Sequence, residues 1–176
     1  MTNTAASNTQ AANDAVARMR AAFPVPLLLS ATPRWEIKSD WLGLRVQLFT
    51  LEQDFLFQSA QWGAIRVPLG FTTDFGSVPA VAKSLIDDDD PDLLFASIIH
   101  DWLYNRQGCV GDWPLTRLDC DAVLGEAMRA SGAPGWKVAL VVGAVRIGGW
   151  LAWNEKPDPK EILTTKNAEH TERYGL

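Results

Sequence analysis

Two ionisable side chains, His100 and Asp101, follow directly after a strongly apolar stretch of the sequence. Residues 93–99 are apolar apart from Ser97, and their pattern is that of a buried helix. An unpaired polar group in such surroundings costs about 1–3 kcal/mol, and an unpaired charge costs more. We therefore expect both side chains to have partners elsewhere in the chain or an opening to water.

The sequence offers partners for these side chains on the same helix and beyond it. Tyr104 follows His100 by one helical turn and therefore shares its face. Asp101 is rotated by about 100° from His100 and can meet a different element. The candidate partners are Asp74, Ser77, Arg117, Asp121 and Arg146. We expect a supporting polar network formed by Thr73, Arg117, Asp121 and Arg146.

A second polar group, Asp74 and Ser77, lies in a predicted strand-to-helix turn. An aspartate there can form an Asx-turn and a serine can cap the helix, so both residues have a structural interpretation. In the catalytic interpretation, Ser77 is a nucleophile or the carboxylate of Asp74 acts as a general acid or base. The G-x-S-x-G elbow of serine hydrolases is, however, missing. The candidate catalytic residues are Asp74, Ser77, His100, Asp101 and Tyr104.

A divalent metal is the cofactor that these residue types suggest, because imidazole and carboxylate groups bind zinc, manganese and iron. The candidate ligands are Asp74, His100, Asp101 and Asp121. Phosphohydrolases named for a His-Asp pair need a further histidine upstream, whereas His100 is the first histidine of this chain. We expect Arg146 to be a buried or half-buried counter-charge for Asp101 or Asp121. A purely structural salt-bridged network also stays open as an interpretation.

The elements that would position these residues indicate an α+β fold. Period-two alternation in short runs between Trp35 and Phe71 predicts a small antiparallel β-meander with one solvated face. After Phe71 the patterns predict a bundle of about four helices. Their expected ranges are 77–86, 91–104, 115–131 and 135–153, with 87–90 as a solvated loop and Gly132 as a C-terminal cap.

The chain of 176 residues is long enough for one domain with a full hydrophobic core. We predict a flexible N-terminal arm over residues 1–14 and a polar C-terminal extension over 154–176. Between them lies a single α+β domain, residues 15–153, whose first helix covers 15–23. The arm lacks the apolar block of a secretory signal. The most apolar segment, residues 138–153, is interrupted and shorter than the roughly 20 residues of a membrane span, so none is expected.

The composition makes nucleic acid an unexpected partner. Lys and Arg number 16 against 21 Asp and Glu, which gives a formal net charge of −5. A surface that binds phosphates needs clustered positive charge, and the basic residues here stand singly in the sequence. We therefore expect no nucleic-acid binding, and we interpret the eight tryptophans as core and subunit-interface residues.

The sequence contains two signatures: the first runs from Val67 to Pro79 and contains Thr-Asp-Phe-Gly-Ser, and the second, in Ile98–Tyr104, contains His-Asp-Trp-Leu-Tyr. Both resemble a protein family of phages and prophages known as domain of unknown function 1353. Gly76 stands where alanine is more usual in that family. The resemblance extends over residues 60–153. Its further matching positions are Arg117, Asp121, Ala127, Gly132, Val145, Arg146, Gly149 and Trp150.

The resemblance implies a phage origin and supplies no established activity. One hypothesis is a structural or assembly protein of the virion, associated with the tail or its tip. It would be assembled in the bacterial host cytoplasm and would contact other phage structural proteins or copies of itself. The alternative is a phage-encoded hydrolase, with or without a metal, that acts on the cell wall or another host polymer. It would use Asp74, His100 and Asp101, assisted by Tyr104 and Arg117.

Overall fold

Among the described residues, one helix precedes a region of strands between Leu29 and Thr73, and three further helices make up most of the chain between Pro91 and Asn154. The structure, a computed structural model, describes residues 3–39, 44–75, 91–110 and 113–154. Antiparallel strands followed by helices confirm the predicted α+β class. The predicted helix over 77–86, the aspartate loop at 87–90 and nearly all of the predicted extension over 154–176 lie outside the described residues.

The alternating runs form antiparallel strands in two small sheets rather than one continuous meander. In the first sheet, β1 (Leu29–Ser39) pairs with β2 (Leu44–Leu51), and the other edge of β2 pairs with β5 (Thr72–Thr73). A separate hairpin consists of β3 (Phe55–Ser59) and β4 (Gly63–Val67). The alternation predicts which segments become strands, but it carries no information on which strand takes the free edge of β2.

The β3–β4 hairpin supplies one apolar face to the core. Phe55 pairs with Val67 and Phe57 pairs with Ile65 in the register of the hairpin. All four side chains are at most 2% exposed, because alternate residues of a strand point to the same face. Phe23, just after the first helix, packs its ring on Phe55 with centroids 5.8 Å apart. The hairpin therefore joins the N-terminal helix to the core.

The first helix, α1 (Asn3–Ala22), begins earlier than the sequence predicts. Residues 3–14, predicted as a flexible arm, belong to this helix, so the prediction of its start at residue 15 is wrong. The segment lacks apolar periodicity but is rich in alanine, which has the highest helix propensity. A hydrogen bond of 2.8 Å from Gln10 to Asp14, one turn further on, adds to its stability.

Three helices follow the strands in the described part of the chain: α2 (Pro91–Asn105), α3 (Arg117–Ser131) and α4 (Gly135–Asn154). Their bounds agree with the predicted ranges to within two residues. α3 packs against both of the other helices. Lys137 at the start of α4 is buried and reaches Asp92 in the first turn of α2 at 3.5 Å. None of the described helices has the length and hydropathy that crossing a membrane requires.

Both ends of α3 carry caps that the sequence encodes. Thr116 is the N-cap, and it forms a capping box in which its side chain and that of Asp119 each accept a backbone N–H. Gly132 ends the helix in the left-handed region with φ 108°. The Thr116 cap fixes where α3 begins, and it thereby fixes the positions of Arg117 and Asp121 in the first turns of the helix.

A short hairpin replaces part of the loop expected between α2 and α3. It consists of β6 (Cys109–Val110) and β7 (Trp113–Pro114). Gly108 precedes it with φ 73°, and a Cβ atom there would lie 1.9 Å from the carbonyl oxygen of Leu115. The backbone N–H of Leu115 donates to the carbonyl of Gly108 at 3.0 Å. The two backbone segments therefore approach too closely for any side chain at position 108.

Replacing Gly108 with alanine is expected to destabilise the fold by about 3 kcal/mol or more, because the new methyl group clashes with backbone atoms in addition to the left-handed strain. Gly63 is the matched control, because its φ is also 73° and nothing lies within 4 Å of its Cβ position. Gly63→Ala should cost only the strain of about 1–2 kcal/mol. Urea unfolding of both variants measures the difference, and equal costs would contradict the close approach.

Candidate functional site

Asp121 on α3 is the centre of the buried polar cluster. Its side chain is fully buried, and within the described residues three side chains contact its carboxylate. The hydroxyl of Tyr104 donates to Oδ1 at 2.6 Å, and Nε2 of His100 lies 3.2 Å from the same oxygen. A guanidinium nitrogen of Arg117 donates to Oδ2 at 3.3 Å. We call these four residues the Asp121 cluster.

Helical spacing on two facing helices positions the Asp121 cluster. α2 places His100 and Tyr104 one turn apart, with their rings 4.1 Å apart. α3 places Arg117 and Asp121 one turn apart in the same way. Because α2 and α3 pack closely along their length, the two pairs meet in the contact between the helices. Arg117 lies at the edge of the cluster, with 22% of its side chain exposed.

Burial decides the protonation of the two ring side chains. Desolvation lowers the pKa of His100 below its ordinary value, and this effect outweighs the opposing hydrogen bond to Asp121. The imidazole is therefore neutral near pH 7, and Nε2 carries the proton that it donates to the carboxylate. Burial also raises the pKa of Tyr104, so the phenol keeps its proton and remains a donor.

One nitrogen of the imidazole has no hydrogen-bond partner in the described part of the chain. Nδ1 of His100 is buried and has none among the residues that the structure describes. In the neutral tautomer this atom is an acceptor, and a buried acceptor without a donor destabilises the folded state. The His100 side chain as a whole is only 1% exposed, so this nitrogen has no open path to bulk solvent.

A second hydrogen-bonded group joins β5 to α2. The hydroxyl of Thr73, itself 3% exposed, donates to the carboxylate of Asp101. The backbone N–H of Phe75 donates to the hydroxyl oxygen of the same threonine at 3.1 Å. Beside this group, the rings of Phe71 and Trp102 meet edge to face at 5.2 Å. Asp101 therefore anchors a two-residue strand to the helix that carries His100.

The structure thus divides the predicted residues between two hydrogen-bonded groups among the described residues. His100, Tyr104, Arg117 and Asp121 form one, and Thr73 with Asp101 forms the other. Asp74 follows Thr73 in the chain and is half-buried. Ser77 lies outside the described residues.

The prediction that Arg146 is a buried counter-charge is wrong. Its side chain is exposed, because the preceding residue, Val145, takes the core-facing position on α4. Only its backbone takes part, since the carbonyl oxygen of Arg146 accepts a hydrogen bond from Arg117 at 3.2 Å. Arg117 is the cation that lies beside Asp121.

The predicted metal ligands do not form a metal centre within the described residues. Over residues 3–39, 44–75, 91–110 and 113–154, no group of three or more His, Cys, Asp or Glu side chains is arranged to hold a metal ion. Both oxygens of Asp121 already accept hydrogen bonds from protein donors, and Asp101 accepts one from Thr73. A cation at Asp121 would have to displace these donors.

Two residues that support the site have no local signal in the sequence. Glu126 on α3 accepts from the hydroxyl of Ser59 at 2.7 Å and from the backbone of Ala60 at 2.6 Å, so it ties the β3–β4 turn to α3. Gly149 on α4 leaves space for Tyr104, because a Cβ atom there would lie 2.6 Å from the phenol oxygen. The sequence singles out Gly149 only as a position of the family resemblance.

The fold and the Asp121 cluster define a small α+β protein with an enclosed polar centre. The sequence model of a family described as "Protein of unknown function (DUF1353)" matches residues 49–145, which is more than half of the chain. The chain belongs to this family, as the two signatures predict. The matched segment runs from β2 into α4 and includes both hydrogen-bonded groups. Neither curated proteins nor solved structures give a significant match.

The buried histidine is expected to make folding stability depend on pH. In the unfolded chain His100 takes up a proton near its ordinary pKa of 6.5, whereas burial lowers its pKa in the folded state. Below about pH 6.5 the unfolded state therefore binds more protons, and the free energy of unfolding falls on acidification by up to about 1.4 kcal/mol per pH unit. Urea unfolding between pH 5 and 7.5 measures this slope.

His100→Gln should reduce the slope, because the glutamine amide can still donate to Asp121 but does not titrate. His170→Gln, at the other histidine of the chain, is the matched control and should leave the slope unchanged. An equal slope in the wild type and His100→Gln would contradict the assignment of a neutral His100.

The contact between Gly149 and Tyr104 predicts a measurable coupling. Tyr104→Phe removes one donor from Asp121 and is expected to cost about 1–3 kcal/mol. Gly149→Ala places a methyl group against the phenol oxygen, and Tyr104→Phe removes that oxygen. The loss of unfolding free energy caused by Gly149→Ala should therefore be smaller by about 1 kcal/mol when Tyr104→Phe is also present. The helix-propensity gain of alanine cancels in this double-mutant cycle. Additive costs in urea unfolding would show that the two residues do not touch.

Proposed function

We propose that this protein is a structural or assembly component of a bacteriophage particle, associated with the virion or its tail. In this proposal the Asp121 cluster holds α2 and α3 in one arrangement and does not perform catalysis. The observation that carries it is the enclosure of the cluster, since His100 is 1% exposed and Asp121 is 0% exposed.

Enclosure argues against acid–base chemistry at these residues. A general acid or base must come within about 3 Å of the proton it transfers, or act through one water. Two surface grooves, of about 720 and 560 Å³, are lined by other residues, among them Trp62 and Glu126 in the first and Asp54 and Arg66 in the second. No substrate can contact His100 or Asp121 while the surrounding side chains cover them.

A buried network of this kind supports a structural role. Breaking a buried ion pair by removing one partner costs about 3–5 kcal/mol, so the arrangement in which every donor meets Asp121 is strongly preferred over its alternatives. The network thereby fixes how α2 and α3 pack, and α4 packs on α3. A structural component of a particle needs contact surfaces with fixed relative positions. The Asp121 cluster meets this need because it fixes how the helices pack.

The phage part of the proposal rests on the resemblance of the two signatures to a family of phages and prophages. We propose in addition that the protein is assembled in the bacterial host cytoplasm and ends in the virion. Other phage structural proteins would be the partners. The hydrolase alternative would have to rely on the half-buried carboxylates of Asp74 and Asp101 instead of the enclosed cluster.

The direct test is made in the phage or prophage that encodes the chain. Mass spectrometry of purified particles should find the protein, and a strain that lacks its gene should release incomplete particles, visible by electron microscopy. Infectious particles of normal appearance that form in the absence of the gene, and that never contain the protein, would overturn the proposal.

Complementation of that strain separates a structural cluster from a catalytic one. His100→Gln should restore the titre of infectious particles at temperatures where the variant stays folded, because the glutamine keeps the hydrogen bond to Asp121. Asp101→Asn is the corresponding variant for the Thr73–Asp101 hydrogen bond, because the asparagine side chain can still accept from Thr73. A titre reduced by more than about 100-fold, with the unfolding transition unchanged, would favour catalysis, since loss of one acid–base group costs 10²–10⁴ in rate.

A further inference from the structure

The last helix, α4, has apolar residues on two opposite faces. One face packs into the core, where Val138, Val141 and Val145 are at most 3% exposed. At about 100° per residue the opposite face presents Trp136, Ala139, Leu140, Gly143, Ile147 and Trp150, which we call the α4 stripe. Within the described residues, Trp136, Ile147 and Trp150 are 65%, 85% and 59% exposed.

An exposed face of this composition is unusual for a surface helix, whose outer side is normally polar. The two tryptophans alone expose on the order of 300 Å² of aromatic surface. The largest apolar patch of a typical monomer is about 300–600 Å², and patches of this size commonly bind a partner. The α4 stripe therefore has the character of an interface.

Two pairs of residues in the α4 stripe are arranged symmetrically about Gly143, whereas the counterpart of Leu140 is Arg146. Trp136 and Trp150 stand seven residues to either side, and Ala139 and Ile147 stand four residues to either side. If the α4 helix of a second copy ran antiparallel and crossed at Gly143, Trp136 of each copy would lie against Trp150 of the other. It would also place the large Ile147 on the small Ala139. An isologous twofold interface requires this self-complementarity.

No contact among the described residues accounts for the glycine at position 143. Glycine in a helix interior lowers helix stability, and no described residue lies within 4 Å of the position that its Cβ would take. Gly125 and Gly149, in contrast, each face a neighbouring side chain closely. A glycine at the centre of an apolar stripe lets the backbone of a second helix approach closely.

We propose that the protein forms a twofold-symmetric homodimer in which the α4 stripes of two copies pack antiparallel and cross at Gly143. A standard interface buries about 800 Å² on each partner, and a stripe of this length lies at or below that size. We expect a dissociation constant on the order of 1 μM. The inference extends the proposed assembly role but stands on α4 alone, so a monomer would leave the proposed function in place.

Sedimentation velocity of the full chain from 0.5 to 200 μM tests the dimer. The mass should rise from 19.4 kDa to twice that value with concentration. Ile147→Glu should raise the dissociation constant about 30-fold or more, because it places a charge in the centre of the contact. Val16→Glu is the matched control, since Val16 is 48% exposed on α1, and it should leave the constant unchanged.

Gly143→Phe separates association from folding. No described atom lies within 4 Å of the Cβ position of Gly143, whereas the phenyl ring would block the approach of a second helix, so the dissociation constant should rise while the thermal unfolding of the monomer stays unchanged or improves. A monomer at every concentration, or a dimer that tolerates both Ile147→Glu and Gly143→Phe, would overturn the proposal. A monomer that cosediments with phosphatidylcholine vesicles would assign the stripe to a lipid surface instead.

Cross-linking tests the orientation of the two helices. In a Cys109→Ser background, which removes the half-buried thiol, single variants Ala139→Cys and Ile147→Cys are mixed and oxidised. The antiparallel arrangement should yield the mixed disulfide in excess over both symmetric ones, because disulfides need Cα atoms about 4.4–6.8 Å apart. A predominance of the symmetric products would indicate parallel helices and overturn the proposed geometry.

Discussion

A carboxylate that is enclosed by protein must receive hydrogen bonds on both oxygens, and Asp121 receives them from two helices. Tyr104 and His100 approach from α2, while Arg117 approaches from the preceding turn of α3. Neither helix can slide or rotate against the other without leaving one of these groups unpaired in an apolar interior. The packing of the helical half therefore depends on this one side chain more than on any single apolar contact.

The same requirement explains why Asp121 and His100 are almost completely enclosed. Access of water to Asp121 would weaken each of its hydrogen bonds, because electrostatic interactions are stronger at low dielectric. Gly149 permits α4 to lie against the phenol of Tyr104. These contacts hold α2, α3 and α4 together, and the opposite face of α4 carries exposed apolar residues.

The elements could be predicted from the sequence more fully than their contacts. Apolar periodicity and local caps such as Thr116 and Gly132 place α2, α3 and α4 closely, because these signals act over one or two turns. The pairing of β5 with β2 and the exposure of Arg146 depend on contacts between distant segments, which no local pattern records. A buried His100 requires a polar partner, and this energetic argument includes Asp121 among the candidates. The argument cannot predict whether Arg117 or Arg146 is the cation beside Asp121, since both lie at plausible helical positions.

Arg117 contacts both the buried carboxylate and the backbone of α4, because its guanidinium also donates to the carbonyl of Arg146. That carbonyl belongs to the residue directly before Ile147, in the middle of the exposed apolar face. A load applied to α4 from outside therefore reaches Asp121 through Arg117 and also through Tyr104, which lies against Gly149. Resistance of the protein to mechanical pulling or to proteases should then vary with occupancy of its outer face.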